Sequence, residues 1–85
     1  MKIRKKEYGH SNIIGQRVEL LRKKKGISQK DFITKMQLLG VDINPTSFSK
    51  LEGQIRIATD IEVWAIAKIL EIHTDTLFEE CYIDI

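Results

Sequence analysis

The stretch Pro45-Thr-Ser-Phe-Ser-Lys-Leu-Glu52 carries two kinds of side chain at helical spacing. Wound as a helix, it turns Phe48 and Leu51 to one side and Thr46, Ser47, Ser49 and Lys50 to the other. The apolar side can anchor the helix on a core. The other side, short and polar, lets the backbone enter a duplex groove about 12 Å wide. Lys50 can donate to guanine O6 or N7, and Thr46 offers its methyl to thymine or its hydroxyl to any base. Thr46, Ser47, Ser49 and Lys50 are therefore candidate base-contacting residues. A solvated helix face would show the same pattern, so the stretch alone does not decide.

Three residues outside this stretch have phosphate chemistry. Gln29 opens a predicted helix, where unpaired backbone N–H groups and a side-chain amide can hold an anion. Gln54 and Arg56 follow the stretch and are candidates for backbone phosphate, Arg56 also for a narrow minor groove. Catalytic chemistry has no comparable foothold. His10 and His73 lie far apart, Cys81 has no partner at metal-ligand spacing, and no glycine-rich phosphate loop or nucleophile motif occurs. The expectation is a protein that is not an enzyme and needs no cofactor, metal or small-molecule ligand. Trp64 and Tyr82 read as core or interface residues.

Charge is distributed unevenly. The formal net charge is only +2. Residues 1–25 carry nine lysines and arginines against Glu7 and Glu19, whereas residues 60–85 carry Lys68 against seven carboxylates. That layout suits a basic face toward a polyanion and an acidic face away from it, although a solvated charge run would look alike. The arm Lys2, Arg4, Lys5 and Lys6 is either a DNA-wrapping extension or an idle terminus.

The elements that must position these residues fit one small domain. The chain has 85 residues, 42% hydrophobic and 31% charged, which suits a single compact core. No apolar run reaches the roughly 18 residues of a membrane span, and no signal peptide opens the chain. With a lone cysteine, a reducing cytoplasm is the expected compartment. A first helix is predicted from Ser11 or Asn12 to Lys25, with Ile14, Val18 and Leu21 inward and Gly26 as its stop. The second starts at Ser28, paired with Asp31 in a variant capping box, and buries Phe32 and Met36, with Leu39 a further candidate. Gly40 ends it. Asn44 caps the third helix, Pro45–Glu52, with proline at its first position. Thr59 and Glu62 form a capping box before a fourth helix with Val63, Ile66, Ala67 and Leu70 in one stripe. A fifth begins near His73 or Thr74 and contains Leu77 and Phe78. The predicted class is all-α, with a basic arm over 1–12, a domain over 13–80 and an apolar tail over 81–85. That tail, Cys81-Tyr-Ile-Asp-Ile, could be a strand if it pairs with something.

Several of these strings together resemble the Cro and lambda-repressor-like helix-turn-helix (XRE-type) family. They are Ile14-Gly15-Gln16-Arg17-Val18, Leu21-Arg22, Gly26-Ile27-Ser28-Gln29, Ser47-Phe48-Ser49-Lys50-Leu51-Glu52 and Ile66-Ala67-Lys68-Ile69-Leu70. They occur in order over about residues 13 to 78. The resemblance implies a five-helix domain whose second and third helices form the helix-turn-helix, with Pro45–Glu52 as recognition helix in the major groove of double-stranded DNA. It implies that Pro45, at the N-terminal end of that helix, joins the candidate base contacts, that Gln29 holds a phosphate, and that Arg22 and Glu52 form a partly buried ion pair joining the first and third helices. The implied function is a cytoplasmic, bacterial or phage-encoded transcriptional regulator, a repressor, binding DNA as a homodimer. The alternative is a protein-interaction module on the same fold, such as an antitoxin or anti-activator. The apolar residues Phe78, Cys81, Tyr82, Ile83 and Ile85 would either join a two-fold interface or tuck onto their own core. Three departures stand out. Ile33 replaces a usually small residue, the connection Leu39–Asn44 is long, and Glu71 stands where glycine commonly ends the fourth helix.

Overall fold

The computed structural model describes residues 9–79. The arm residues Lys2, Arg4, Lys5 and Lys6 and the tail Cys81–Ile85 lie outside them. Five helices follow one another: α1 (Gly15–Lys24), α2 (Gln29–Leu38), α3 (Pro45–Glu52), α4 (Asp60–Leu70) and α5 (Thr74–Phe78). Among the described residues there is no strand, and the all-α arrangement has α2 and α3 as its helix-turn-helix.

Local chemistry sets most of the helix starts. Ser28 Oγ accepts from the Asp31 N–H (3.1 Å) and Asn44 Oδ1 from the Ser47 N–H (2.8 Å). At α4, Thr59 and Glu62 close a reciprocal box, each side chain taking the other's backbone N–H. α1 starts differently. Its N-cap is Ile14, which has no polar side chain, and Asn12 reaches forward instead, its Oδ1 accepting from Ile14 (3.1 Å) and Gly15 (2.8 Å). Of the two residues expected to cap this helix, Asn12 does so from outside its first turn.

The first four helices end by one device. A residue in the left-handed region turns the chain, and the next N–H bonds the carbonyl five residues back, from Ile27 to Arg22, Val41 to Met36, Ile55 to Lys50 and Ile72 to Ala67. The turning residues are Gly26, Gly40, Gln54 and Glu71, with φ of 74°, 87°, 61° and 60°. Glycine adopts that conformation freely, whereas Gln54 and Glu71 adopt it with a side chain attached.

The core gathers one side of every helix. Val18, Phe32, Met36, Phe48, Ile66 and Leu77 are completely buried. Phe32 of α2 stacks on Phe48 of α3 with ring centroids 5.2 Å apart, which fixes the two helix-turn-helix elements against each other. Leu39 does not join this core. It sits at the end of α2, exposed, because the turn at Gly40 carries the chain back and buries Val41 and Ile43 instead. The long connection is thus part of the core, and Gln37 Nε2 donates to the Ile43 carbonyl (3.1 Å) to hold it.

Candidate nucleic-acid interface

α3 is held from beneath by Phe48 and Leu51, both fully buried, and by a buried ion pair. Arg22 Nε donates to Glu52 Oε2 (2.7 Å) and Nη2 to Oε1 (3.1 Å), in the parallel two-bond arrangement that guanidinium and carboxylate favour. Arg22 Nη1 also donates to the Ile27 carbonyl (2.8 Å). α1, the turn before α2 and the end of α3 are therefore joined through one guanidinium. Gln29 completes the cluster, its Nε2 donating to Glu52 Oε1 (2.8 Å).

Outward from this support, Gln29, Pro45, Thr46, Ser49, Lys50 and Ile55 line an open depression. Four of the five candidate base-contacting residues meet there. Ser47 lies to the side, half-buried, its backbone occupied by Asn44 at the N–H and by Arg56 at the carbonyl. Gln29 sits at the α2 end of the depression, with one amide donor already given to Glu52.

The burial of Gln54 corrects its expected role, and Arg56 is engaged by the protein. Gln54 is 1% exposed, and its Nε2 donates to the Asn12 carbonyl (2.8 Å), so its side chain cannot reach a phosphate. Arg56 turns back onto the protein. Nε donates to the Ser47 carbonyl (2.9 Å), Nη1 to the Ile57 carbonyl (2.7 Å), and the two terminal nitrogens grip Glu62 at 3.0 and 2.9 Å. A guanidinium so engaged braces α3 against α4. Burial pushes the Glu62 carboxyl up, but bonds from Arg56 and the Thr59 N–H outweigh it and hold Glu62 below the usual carboxylate range.

The sequence reading missed how tightly the residues before α1 are sewn to the end of α3. Asn12 Nδ2 donates to the carbonyls of Leu51 (3.0 Å) and Arg56 (2.8 Å). The Gly9 N–H donates to Gly53 (2.8 Å) and the Ser11 N–H to Gln54 (2.9 Å). Gly15 permits this approach, since a β-carbon there would overlap the Leu51 carbonyl oxygen. One signal was available in the sequence. Glycine and asparagine in the first string of apolar residues point to a close backbone approach and a capped turn.

No protein-family model matches the chain, and no curated protein matches it. Among solved structures, the restriction-modification controller protein C.AhdI from Aeromonas hydrophila is similar, with a TM-score of 0.65 and 28% identity over 76% of this chain and 91% of that one.

Proposed function

We propose that this chain is a sequence-specific, double-stranded DNA-binding transcriptional regulator, a repressor acting as a homodimer in the cytoplasm. The observation that carries the reading is the depression. A short helix, pinned from below by Phe48, Leu51 and the Arg22–Glu52 pair, turns Pro45, Thr46, Ser49 and Lys50 outward beside the N-terminus of α2. That combination suits base edges and an adjacent phosphate. The likeness to a controller protein of a restriction-modification system supports a regulator. Repression needs only occupancy of a promoter, which a domain of this size provides by excluding other proteins from the duplex.

The dimer reading draws on α4 and the loop before it. Ile57, Ile61 and Trp64 are 72%, 52% and 44% exposed, with Ile61 and Trp64 on one helix face. Large apolar side chains grouped in this way favour a protein partner, and a second copy satisfies a two-fold operator. The same ridge also supports the competing reading, a protein-interaction module such as an antitoxin or anti-activator. Selection of binding sites from a random duplex library at near-physiological salt separates them. Enrichment of an inverted repeat with half-sites about ten base pairs apart is the expected result. Enrichment of nothing beyond a salt-sensitive background would transfer the function to the α4 ridge and a partner protein.

A further inference from the structure

The four left-handed turns are each followed by a branched apolar residue, and in this motif that residue ordinarily packs back onto its helix. Three conform. Ile27 and Ile72 pack against the core and Val41 is buried within it. Ile55, after α3, is the exception at 62% exposed. The residue it would pack on, five positions back, is Lys50, whose side chain belongs to the outward face. Gly53 removes the remaining obstacle, since a β-carbon there would press on Ile55 Cδ1 at 3.3 Å. Ile55 thus lies over the end of the recognition helix as an apolar wall of the depression that holds Thr46, Ser49 and Lys50.

We infer that Ile55 is a specificity-determining residue that packs on the C5-methyl group of a pyrimidine in the major groove. The inference rests on the DNA-binding reading above. Its chemistry follows from the groove, where a methyl at pyrimidine C5 is the one apolar feature of a base edge and is met by apolar side chains. The polar residues around the depression supply hydrogen bonds, and Ile55 supplies the surface that hydrogen bonds cannot. Two sources present this methyl, thymine and 5-methylcytosine.

The test uses the full chain and the duplex enriched by selection. Each thymine is replaced in turn by deoxyuridine, and in a second series each cytosine by 5-methylcytosine. Wild-type protein should lose about four-fold in affinity at one thymine per half-site, the worth of one buried methyl. A gain of similar size at one cytosine would instead assign the methyl to 5-methylcytosine. Ile55→Ala should bind the altered and unaltered duplexes alike at that position, and Ile55→Val should keep the methyl response. The inference is overturned if no base responds, or if Ile55→Ala responds as fully as wild type. It also falls if Ile55→Ala weakens every duplex equally, which would place Ile55 on the sugar-phosphate backbone. Failure to enrich any duplex would overturn the DNA-binding reading itself, an outcome distinct from enrichment without a methyl response.

Discussion

Gly15 at the start of α1 lies directly against the backbone of Leu51 at the end of α3. A β-carbon at Gly15 would overlap the Leu51 carbonyl oxygen and stand 2.8 Å from that of Glu52. The first helix therefore begins where α3 ends. Gly15→Ala must push the two apart, stretching the bonds that Asn12 makes to Leu51 and Arg56. The expected loss is about 1–3 kcal/mol or more in urea unfolding, the usual range for overpacking a tight site. DNA affinity should fall beyond what the unfolded fraction explains, because α3 itself is displaced.

Arg22 and Glu52 carry a different kind of dependence. Both are buried, so removing either leaves a charge without its partner. Glu52→Leu or Arg22→Met alone should cost about 3–5 kcal/mol, whereas the double substitution should recover much of it. The comparison is a double-mutant cycle in denaturant. Gln29 gives it a second readout. Glu52 accepts its amide, so Glu52→Leu frees the side chain at the mouth of the depression and should alter DNA affinity even where the double variant is stable.

What the sequence made legible was local. Asn44 before Pro45, and Thr59 three residues before Glu62, declare helix starts because the capping partners lie within one turn. The apolar spacing of Phe48 and Leu51 likewise identified the face of α3 that is buried. Gln54 was misread, and the protein bonds of Arg56 were not foreseen, because polar residues after a short helix look the same whether they face solvent or protein. Their orientation depends on partners that sequence proximity does not reveal. Gln54 meets Asn12, 42 positions away, and Arg56 returns to Ser47, nine positions back. Leu39 failed for a related reason. Helical spacing offered it as a further core candidate, but Gly40 ends the helix and delivers Val41 there.

Glu71 holds a left-handed conformation, φ 60° and ψ 46°, and its side chain makes an exposed pairing to Lys25 (3.0 Å). Left-handed backbone costs a non-glycine residue about 1–2 kcal/mol, and exposed ion pairs contribute about 0–1 kcal/mol. Glu71→Gly should therefore raise stability by about 0.5–1 kcal/mol after the larger entropy of glycine in the unfolded chain is subtracted. Thermal unfolding at moderate salt, where the surface pair is weakened, gives the cleanest comparison. Gly26→Ala is the reciprocal experiment. Its β-carbon would meet nothing, so any loss reports the left-handed φ of 74° less the entropy that alanine saves in the unfolded chain.

Glu62 gives the stability an acid limb. Its carboxyl is held below the ordinary value of 4.5 by Arg56 and the Thr59 N–H despite opposing burial. A carboxyl with a lowered native pKa binds protons less readily folded than unfolded. Its contribution is therefore complete above the unfolded value and disappears as pH falls through the lowered native one. Denaturant midpoints of wild type and Glu62→Gln should differ most near neutrality and converge in acid. A constant difference across that range would mean that Glu62 acts through shape rather than charge.

Lys50 and Trp64 lie on different helices and should fail differently. Lys50 is an exposed cation in the depression, whereas Trp64 is on α4 with the Lys68 ammonium 5.8 Å from its ring centre. Lys50→Ala should relax base preference at one position of each half-site, a loss of about 1–3 kcal/mol against the preferred base if Lys50 reads it. That loss should appear on an isolated half-site as well as on the inverted repeat. Trp64→Glu places a charge beside Ile61 on the exposed apolar face of α4. If the ridge joins two copies, this variant should sediment as a monomer and lose affinity for the inverted repeat, yet bind a single half-site as wild type does. Loss on both DNAs without a change in mass would move Trp64 out of the dimer interface.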